Sequence, residues 1–334
     1  MYEEFDKLIS EIANMMMDNN EKIILVRHDG SMDIKANIRK NKEKYIISLS
    51  SGMTLRVPMS MINEYNFFEK YDCDDWKWFE EFEKISLLDT SVIFEGSPLE
   101  KKLSNLFASS VILEAVFHEC GHIIANHVDL TKEFNETINE TINNSIEAQE
   151  KEMVADWHGI INHFWFLYSC IYGDELKNSN SEEIIHSLHK LTIFEWLSIC
   201  YEFALFDHSQ TPKIYSKSHP HPRVRLIACL EAMYEAIVDI LDAKFNIEDT
   251  DSATVATQIL NQDAFVIVSS FCQLSGIDLT DNAWHDKNAI KQYVKLRKYS
   301  GSILTSNPDT HLEQLDPEDE ELLKQVIEQL AKNG

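Results

Sequence analysis

The chain has 334 residues, of which 44% are hydrophobic, so it is long and apolar enough to bury a core and wholesale disorder is excluded. Its 56 acidic and 30 basic residues give a net charge of −26, which excludes a general nucleic-acid-binding surface. The charge favours solubility, and a basic substrate or partner is the alternative interpretation. Six cysteines without a CxxC pair, no signal-peptide pattern and no run of about 18 apolar residues predict a soluble, cytoplasmic protein without membrane contact.

Residues 1–95 are predicted to form an N-terminal part that combines helices with a small antiparallel β-sheet. Helical spacing of apolar residues predicts a helix at 3–17. The segments "KIILVRHDG", "DIKANIRKN" and "KYIISLSSG" are rich in β-branched residues or alternate in polarity, which predicts three strands. The aromatic and acidic stretch at 59–88 is predicted to be helical.

Helices are predicted to dominate after Pro98, which gives a mainly helical α+β fold. A helical core is expected at 96–245 and a helical extension, packed on that core, at 246–334. Helices are predicted for a long pattern that ends near residue 127 and near 148–172, 182–206, 222–244, 252–274 and 318–332. The polar segment 129–147 is predicted to be a flexible loop or a weak helix, and the proline-rich segment 208–222 is predicted to be a loop.

The stretch "FHECGHIIANH" contains the pattern His-Glu-x-x-His. Residues four apart lie on one face of a helix, so His118 and His122 can bind one zinc ion through one ring nitrogen each. Glu119 lies one step round the helix, close enough to reach a zinc-bound water without binding the metal. Zinc lowers the pKa of such a water to about 7, and Glu119 can accept its proton and pass it to a leaving amine.

A catalytic zinc normally has a third protein ligand and one open position. The metzincin spacing requires a histidine six residues after His122, where this chain has Val128, so that arrangement is excluded. His127 is one residue short of that position. At five residues from His122 it is predicted to point to another face and to interact with the last carbonyl groups of the helix.

A second pair of acidic residues, Glu152 and Asp156, is also spaced four apart, in "EAQEKEMVADWHG". If this helix packs against the first, Glu152 can complete the zinc ligands and Asp156 can accept the free N–H of a ligand histidine. Ala155 is small where the two helices must come close. Gly121 in the first helix also fits a close approach by another element or by substrate.

A third motif is "SKSHPHPRVRL", in which His219 lies in a proline-rich loop and Arg225 follows near the start of a helix. His219 can donate a hydrogen bond to the oxyanion of a tetrahedral intermediate. Arg225 can pair with a carboxylate of the site and fix the loop. His221 and Tyr215 are alternative oxyanion donors, and a rigid proline turn before a helix is the structural alternative for the whole motif.

The order HExxH, then ExxAD, then HP-x4-R resembles the M48-type gluzincin metallopeptidases, and all three motifs occur here in that order. The resemblance implies a zincin-like core with Zn²⁺ as cofactor. It assigns the metal to His118, His122 and Glu152, the base to Glu119, and a place beside the active site to His219. Asp156 and Arg225 match the remaining motif positions.

Because typical M48-type enzymes are membrane-bound or secreted, the chain is more similar to the soluble Lit-type phage-exclusion peptidases (family U49). The similarity extends over about residues 20–240. It implies a protein or peptide substrate, with elongation factor Tu as the family's target, and a phage peptide or protein as activator. The chain departs from the family in its acidic composition, in the "NETINETI" insertion at 135–142 and in its C-terminal extension.

The sequence therefore predicts a cytoplasmic zinc endopeptidase that cuts a specific protein substrate and is activated by a trigger in phage defence or stress. The segments 129–147 and 208–222 are the expected lids. Two alternatives stay open at this point. One is a regulatory protease that cuts a repressor, and the other is a zinc-containing sensor or binding protein without proteolytic activity.

Overall fold

The computed structural model describes residues 2–16, 23–42, 44–63, 81–87, 98–128, 142–173, 181–209, 222–245 and single positions at 220, 260, 264, 266, 268, 269 and 293. The described helices are α1 (Tyr2–Met16), α2 (Ser51–Asn63), α3 (Pro98–Ile124), α4 (Ile142–Tyr172), α5 (Ser181–Ser209) and α6 (Pro222–Phe245). The strands are β1 (Ile23–Asp29), β2 (Ala36–Asn41) and β3 (Lys44–Ser50). The predicted mainly helical α+β class, with a small N-terminal sheet, is confirmed.

Long, strongly periodic helices were predictable from the sequence. The expected helices at 3–17, 148–172, 182–206 and 222–244 correspond to α1, α4, α5 and α6. The helix predicted near 148–172 begins earlier, at Ile142, within the segment that was predicted to be a flexible loop or a weak helix. The spacing of Ile142, Ile146 and Met153 continues the apolar pattern of α4, which outweighs the weak helix propensity of the intervening polar residues. The predicted helix at 318–332, most of that at 252–274 and most of both loops lie outside the described residues.

The sheet is mixed rather than antiparallel, so that part of the predicted fold is wrong. Its strand order is β1-β3-β2, in which β3 pairs antiparallel with β2 and parallel with β1. The connection at 30–35 passes the end of β3 before β2 begins, and β3 then returns between the two earlier strands. At this crossing the backbone N–H of Gly52 donates to Ser31 O (3.0 Å), and a Cβ at Gly52 would lie 2.2 Å from Asp33 O.

Helix α1 covers the free edge of β1 with polar side chains. Four residues of helix rise about 6.0 Å and two residues of strand about 6.6 Å, so side chains four apart on α1 can meet every second strand residue. Asn14 pairs with both backbone groups of Ile24, at 2.8 and 2.9 Å. Further contacts from Ser10 to Val26 and from Asp6 to His28 complete the row. A covered edge cannot pair with another chain, which protects the sheet from aggregation.

Helix α3 lies at the centre of the core and packs most extensively against α4. The two helices meet where neither can carry a larger side chain. A Cβ at Gly121 would lie 2.3 Å from Ala155 O, and one at Gly159 would lie 2.9 Å from His118 Cα. The close approach predicted at Gly121 and Ala155 is therefore present, and it brings the two helix faces that carry the candidate ligands together.

One hydrophobic core unites the N-terminal elements and the helices. It contains Ile9 from α1, Ile47 from β3 and Phe117 from α3, and Leu260, Ala264 and Val268 join it. The division into the three predicted parts stays a prediction. Among the described residues one stretch, Ser104–Ile124, is long and apolar enough to cross a membrane, but 83% of it is buried inside the structure, as in a core helix of a soluble protein.

Candidate metal centre

Helices α3 and α4 bring three of the predicted ligands, His118, His122 and Glu152, into one group. Each offers a donor atom, and these atoms lie within 4.8 Å of one another. The Nε2 atom of His118 is 3.3 Å from Glu152 Oε2, and the Nε2 atom of His122 is 3.5 Å from Glu152 Oε1. Both imidazoles therefore present the same ring nitrogen to one carboxylate.

These separations fit a shared metal ion. Bonds of about 2.0–2.1 Å at tetrahedral angles place ligand atoms about 3.3 Å apart. The ligand side chains are 16% (His118), 11% (His122) and 10% (Glu152) exposed, so the group reaches solvent at one side. Two imidazoles and a carboxylate form a donor set that binds divalent transition metals. The residues of this group can hold a metal ion and leave a position open.

Asp156 orients His118, as the sequence predicts. Its Oδ1 atom lies 2.8 Å from Nδ1 of His118, which fixes the proton on Nδ1 and leaves the Nε2 lone pair for a metal. Burial lowers the pKa of His118, but hydrogen bonds and negative charge from Asp156 and Glu152 outweigh it and hold the pKa well above its ordinary range. Without a metal, the His118 ring therefore retains a proton between the two carboxylates.

Arg225 holds Asp156 in turn. Its Nε and Nη2 atoms donate to Oδ2 and Oδ1 of Asp156, at 2.7 and 2.6 Å, in a two-pronged ion pair. The guanidinium also lies 4.5 Å above the ring of Phe203. Burial raises the pKa of Asp156, but Arg225 and His118 outweigh burial and lower it, so the carboxylate stays ionised. The predicted pairing of Arg225 with a site carboxylate is present, and it makes Arg225 a positioning residue rather than a catalytic one.

His127 lies closer to the site than the sequence suggests. Its backbone N–H donates to His122 O (2.8 Å), and its Nδ1 atom lies 3.2 Å from Nδ1 of His122. The prediction that its ring points to another face is wrong, because α3 ends at Ile124 and Asn126 adopts a left-handed conformation (φ 56°). That reversal turns the chain back, and the His127 ring meets the ring of His122.

Glu119 follows His118 on α3 and is buried, with 7% exposure. It does not belong to the ligand group itself, as expected for a base. The predicted oxyanion donors His219, His221 and Tyr215 lie outside the described residues.

A second group of ionisable side chains was missed in the sequence. Glu114, His163 and Glu195 meet in the core, and Glu202 lies beside them. Each is the single ionisable residue of an apolar helical run, such as "SSVILEAVF" around Glu114. An ionisable residue in such a run needs a partner once buried, and that was the signal available.

Comparisons of the chain with protein-family models, with curated proteins and with solved structures found no match.

Proposed function

We propose that the protein is a zinc-dependent endopeptidase. The observation that carries the proposal is the convergence of His118, His122 and Glu152, with both histidine Nε2 atoms facing one carboxylate. The adjacent Glu119 supports it, because a purely structural site has no use for a carboxylate beside the ligands. The partial exposure of the ligand side chains supports a site open to substrate, since structural zinc sites are usually closed by four protein ligands.

In this proposal His118, His122 and Glu152 would hold a zinc ion, which when bound would supply Lewis-acid chemistry by polarising the scissile carbonyl and lowering the pKa of a water molecule. The Glu119 carboxylate accepts a proton from the attacking water and delivers it to the leaving amine. Asp156 keeps the His118 proton on Nδ1, and Arg225 keeps Asp156 ionised and in place. His219, His221 or Tyr215 would donate to the oxyanion.

The test compares the wild type with Glu119→Gln and His122→Ala. Glu119→Gln should retain zinc but lose about 10²–10⁴-fold in cleavage rate, because a positioned base contributes a factor of that size. His122→Ala should lose zinc and activity together. Glu183→Gln, at an exposed position on α5, is the matched control. Full cleavage by Glu119→Gln would contradict the mechanism.

The cellular role follows from the resemblance to the Lit-type peptidases and is part of the same proposal. The enzyme acts in the cytoplasm on one protein substrate, with elongation factor Tu as first candidate, after activation by a phage peptide or protein. Wild type and Glu119→Gln expressed in a host, with and without phage challenge, would be compared for new protein termini. New termini in a repressor would support the regulatory alternative. Zinc binding without new termini under any trigger would support the sensor.

A further inference from the structure

A second group of potential ligands lies in the sealed core beside the proposed zinc site. Glu114 comes from α3, His163 from α4 and Glu195 from α5, and their donor atoms lie within 4.8 Å of one another. Glu114 is 3% exposed, and the other two are fully buried. Glu114 precedes His118 by one helical turn, so the two groups are about 6 Å apart along α3.

Three buried carboxylate oxygens of this group receive no hydrogen bond from an ordinary donor among the residues that the structure describes. They are both oxygens of Glu114 and Oε2 of Glu195. Glu202 lies beside Glu114, but a hydrogen bond between two carboxyl groups requires that one of them is protonated. Buried polar atoms are normally satisfied, and buried carboxylates are normally paired or bound to a metal. Three such oxygens in one group therefore point to a missing cation or proton.

The contact between His163 and Glu195 also fits a shared ion. The Nδ1 atom of His163 lies 2.9 Å from Oε1 of Glu195. Bonds of about 2.1 Å place neighbouring ligand atoms about 3 Å apart, so both atoms can bind one metal. Without a metal, the Nδ1–H of the ring donates to the carboxylate.

The charges of the group also require a cation or protons. Glu114, Glu195 and Glu202 are 3%, 0% and 5% exposed, and a buried carboxylate needs a compensating charge or a proton. Two nearby basic groups, the Arg225 guanidinium and the His118 ring, are both engaged by Asp156.

We propose that Glu114, His163 and Glu195 bind a second divalent transition-metal ion that joins α3, α4 and α5. One imidazole and two carboxylates supply up to five donor atoms, a set that suits zinc or manganese. Because the three side chains are sealed from solvent, this ion is structural, whereas the ligands of the first site reach the surface. It would fix α3 one turn before His118 and so stabilise the helix that carries the proposed catalytic site.

The experiment is a titration of the full-length, metal-stripped chain with Co²⁺, followed by visible absorption and by metal analysis after gel filtration. The wild type should bind two equivalents. The variant His118→Ala/His122→Ala, in which the second group is intact, should still bind one. Glu114→Gln, which keeps the shape of the side chain but removes its charge, should also bind one equivalent, and Glu183→Gln should bind two.

Failure of the double histidine variant to bind any Co²⁺ would overturn the inference, and this measurement stands even if Glu114→Gln does not fold. A folded Glu114→Gln that binds as much Co²⁺ as the wild type would also overturn it, because Glu114 would then hold a proton instead of a metal. The two proposals fail separately. If the first site binds no metal, the wild type should bind one equivalent. Glu114→Gln should then bind none, and His118→Ala/His122→Ala should still bind one.

Discussion

The orientation of His122 depends on a histidine five positions further along the chain. If His122 binds a metal through Nε2, its Nδ1 carries the proton and must donate it to an acceptor. His127 offers its Nδ1 atom at 3.2 Å. Burial lowers the pKa of His127 to about 3, so its ring is neutral at pH 7 and can accept. His127 thus has for His122 the role that Asp156 has for His118.

Replacement of His127 by alanine should lower the zinc affinity about 10–100-fold, because groups that orient a ligand histidine contribute a factor of this size. Competition with a chromophoric chelator at pH 7 measures the affinity. His186→Ala, which removes an exposed histidine from α5, should leave it unchanged. Equal affinities of His127→Ala and wild type would show that His127 does not orient His122.

Half-buried His158 should make the fold sensitive to acid. Burial lowers its pKa below the ordinary value of 6.5, so the folded state binds the proton less well than the unfolded chain. The stability it contributes is complete above pH 6.5 and is lost as the pH falls from 6.5 through the lowered pKa. His158→Gln should therefore lose less stability than the wild type on acidification.

Urea unfolding at pH 7.5 and 5.5, with a chelator present so that metal loss does not contribute, measures this difference. The exposed His186→Gln variant should behave like the wild type. An acid-induced loss in His158→Gln as large as that in the wild type would exclude His158 as a source of the acid sensitivity.

Among the elements, the contact between α3 and α4 fixes the geometry of the candidate site. Gly121→Ala and Gly159→Ala should each destabilise the fold by about 1–3 kcal/mol, because the new Cβ overlaps backbone atoms that cannot move aside. This outweighs the gain of about 1 kcal/mol that alanine brings in helix propensity. Both variants should also bind zinc more weakly, since Gly159 touches His118 and Gly121 touches Ala155, close to Glu152.

The control for this contact is Gly30→Ala, where the added Cβ meets nothing within 4 Å. Its stability in urea should stay close to that of the wild type. A Gly121→Ala variant as stable as Gly30→Ala would mean that the two helices can separate without loss, and the close contact would then not determine the geometry of the site.

Much of the helical structure and the ligand geometry was accessible from local spacing. The pairs His118 with His122 and Glu152 with Asp156 are each four residues apart on one helix, so a packed pair of helices brings them together. The order β1-β3-β2 was not accessible, because parallel pairing of β1 with β3 depends on the crossing at 30–35 rather than on either strand. The contacts from α1 to β1 likewise join residues 10–22 positions apart and follow no local period.

The His122–His127 contact was missed for a similar reason. An ideal helix would direct His127 away, and it is the end of α3 and the left-handed Asn126 that return it. The buried group of Glu114, His163 and Glu195 needs three helices to assemble. The sequence shows only that each lies alone in an apolar run, and the partner of each becomes visible only in the packed core.

Over the whole molecule, the ionisable groups divide into two populations. The chain has a net charge of −26, and most acidic side chains among the described residues are at least partly exposed. Glu114, Glu152, Asp156, Glu195 and Glu202 are buried near Arg225 and the histidines His118 and His163. Burial raises the pKa of Glu202 to about 7, against the lowering effect of Arg225. A core so rich in carboxylates needs bound cations or protons, so metal binding at the proposed sites would stabilise the fold.

The surface population leads to a prediction about salt. With a net charge of −26, repulsion between acidic side chains destabilises the compact state, and salt screens it within a Debye length of about 10 Å at 0.1 M. Exposed pairs such as Lys7 with Glu11, 3.9 Å apart, lose attraction in salt, but each contributes less than about 1 kcal/mol. The melting temperature should therefore rise by several degrees between low and moderate concentrations of NaCl. Thermal unfolding followed by circular dichroism, with metal held constant and KCl as the matched salt, measures the shift, and a fall in both salts would show that attractive pairs dominate the surface.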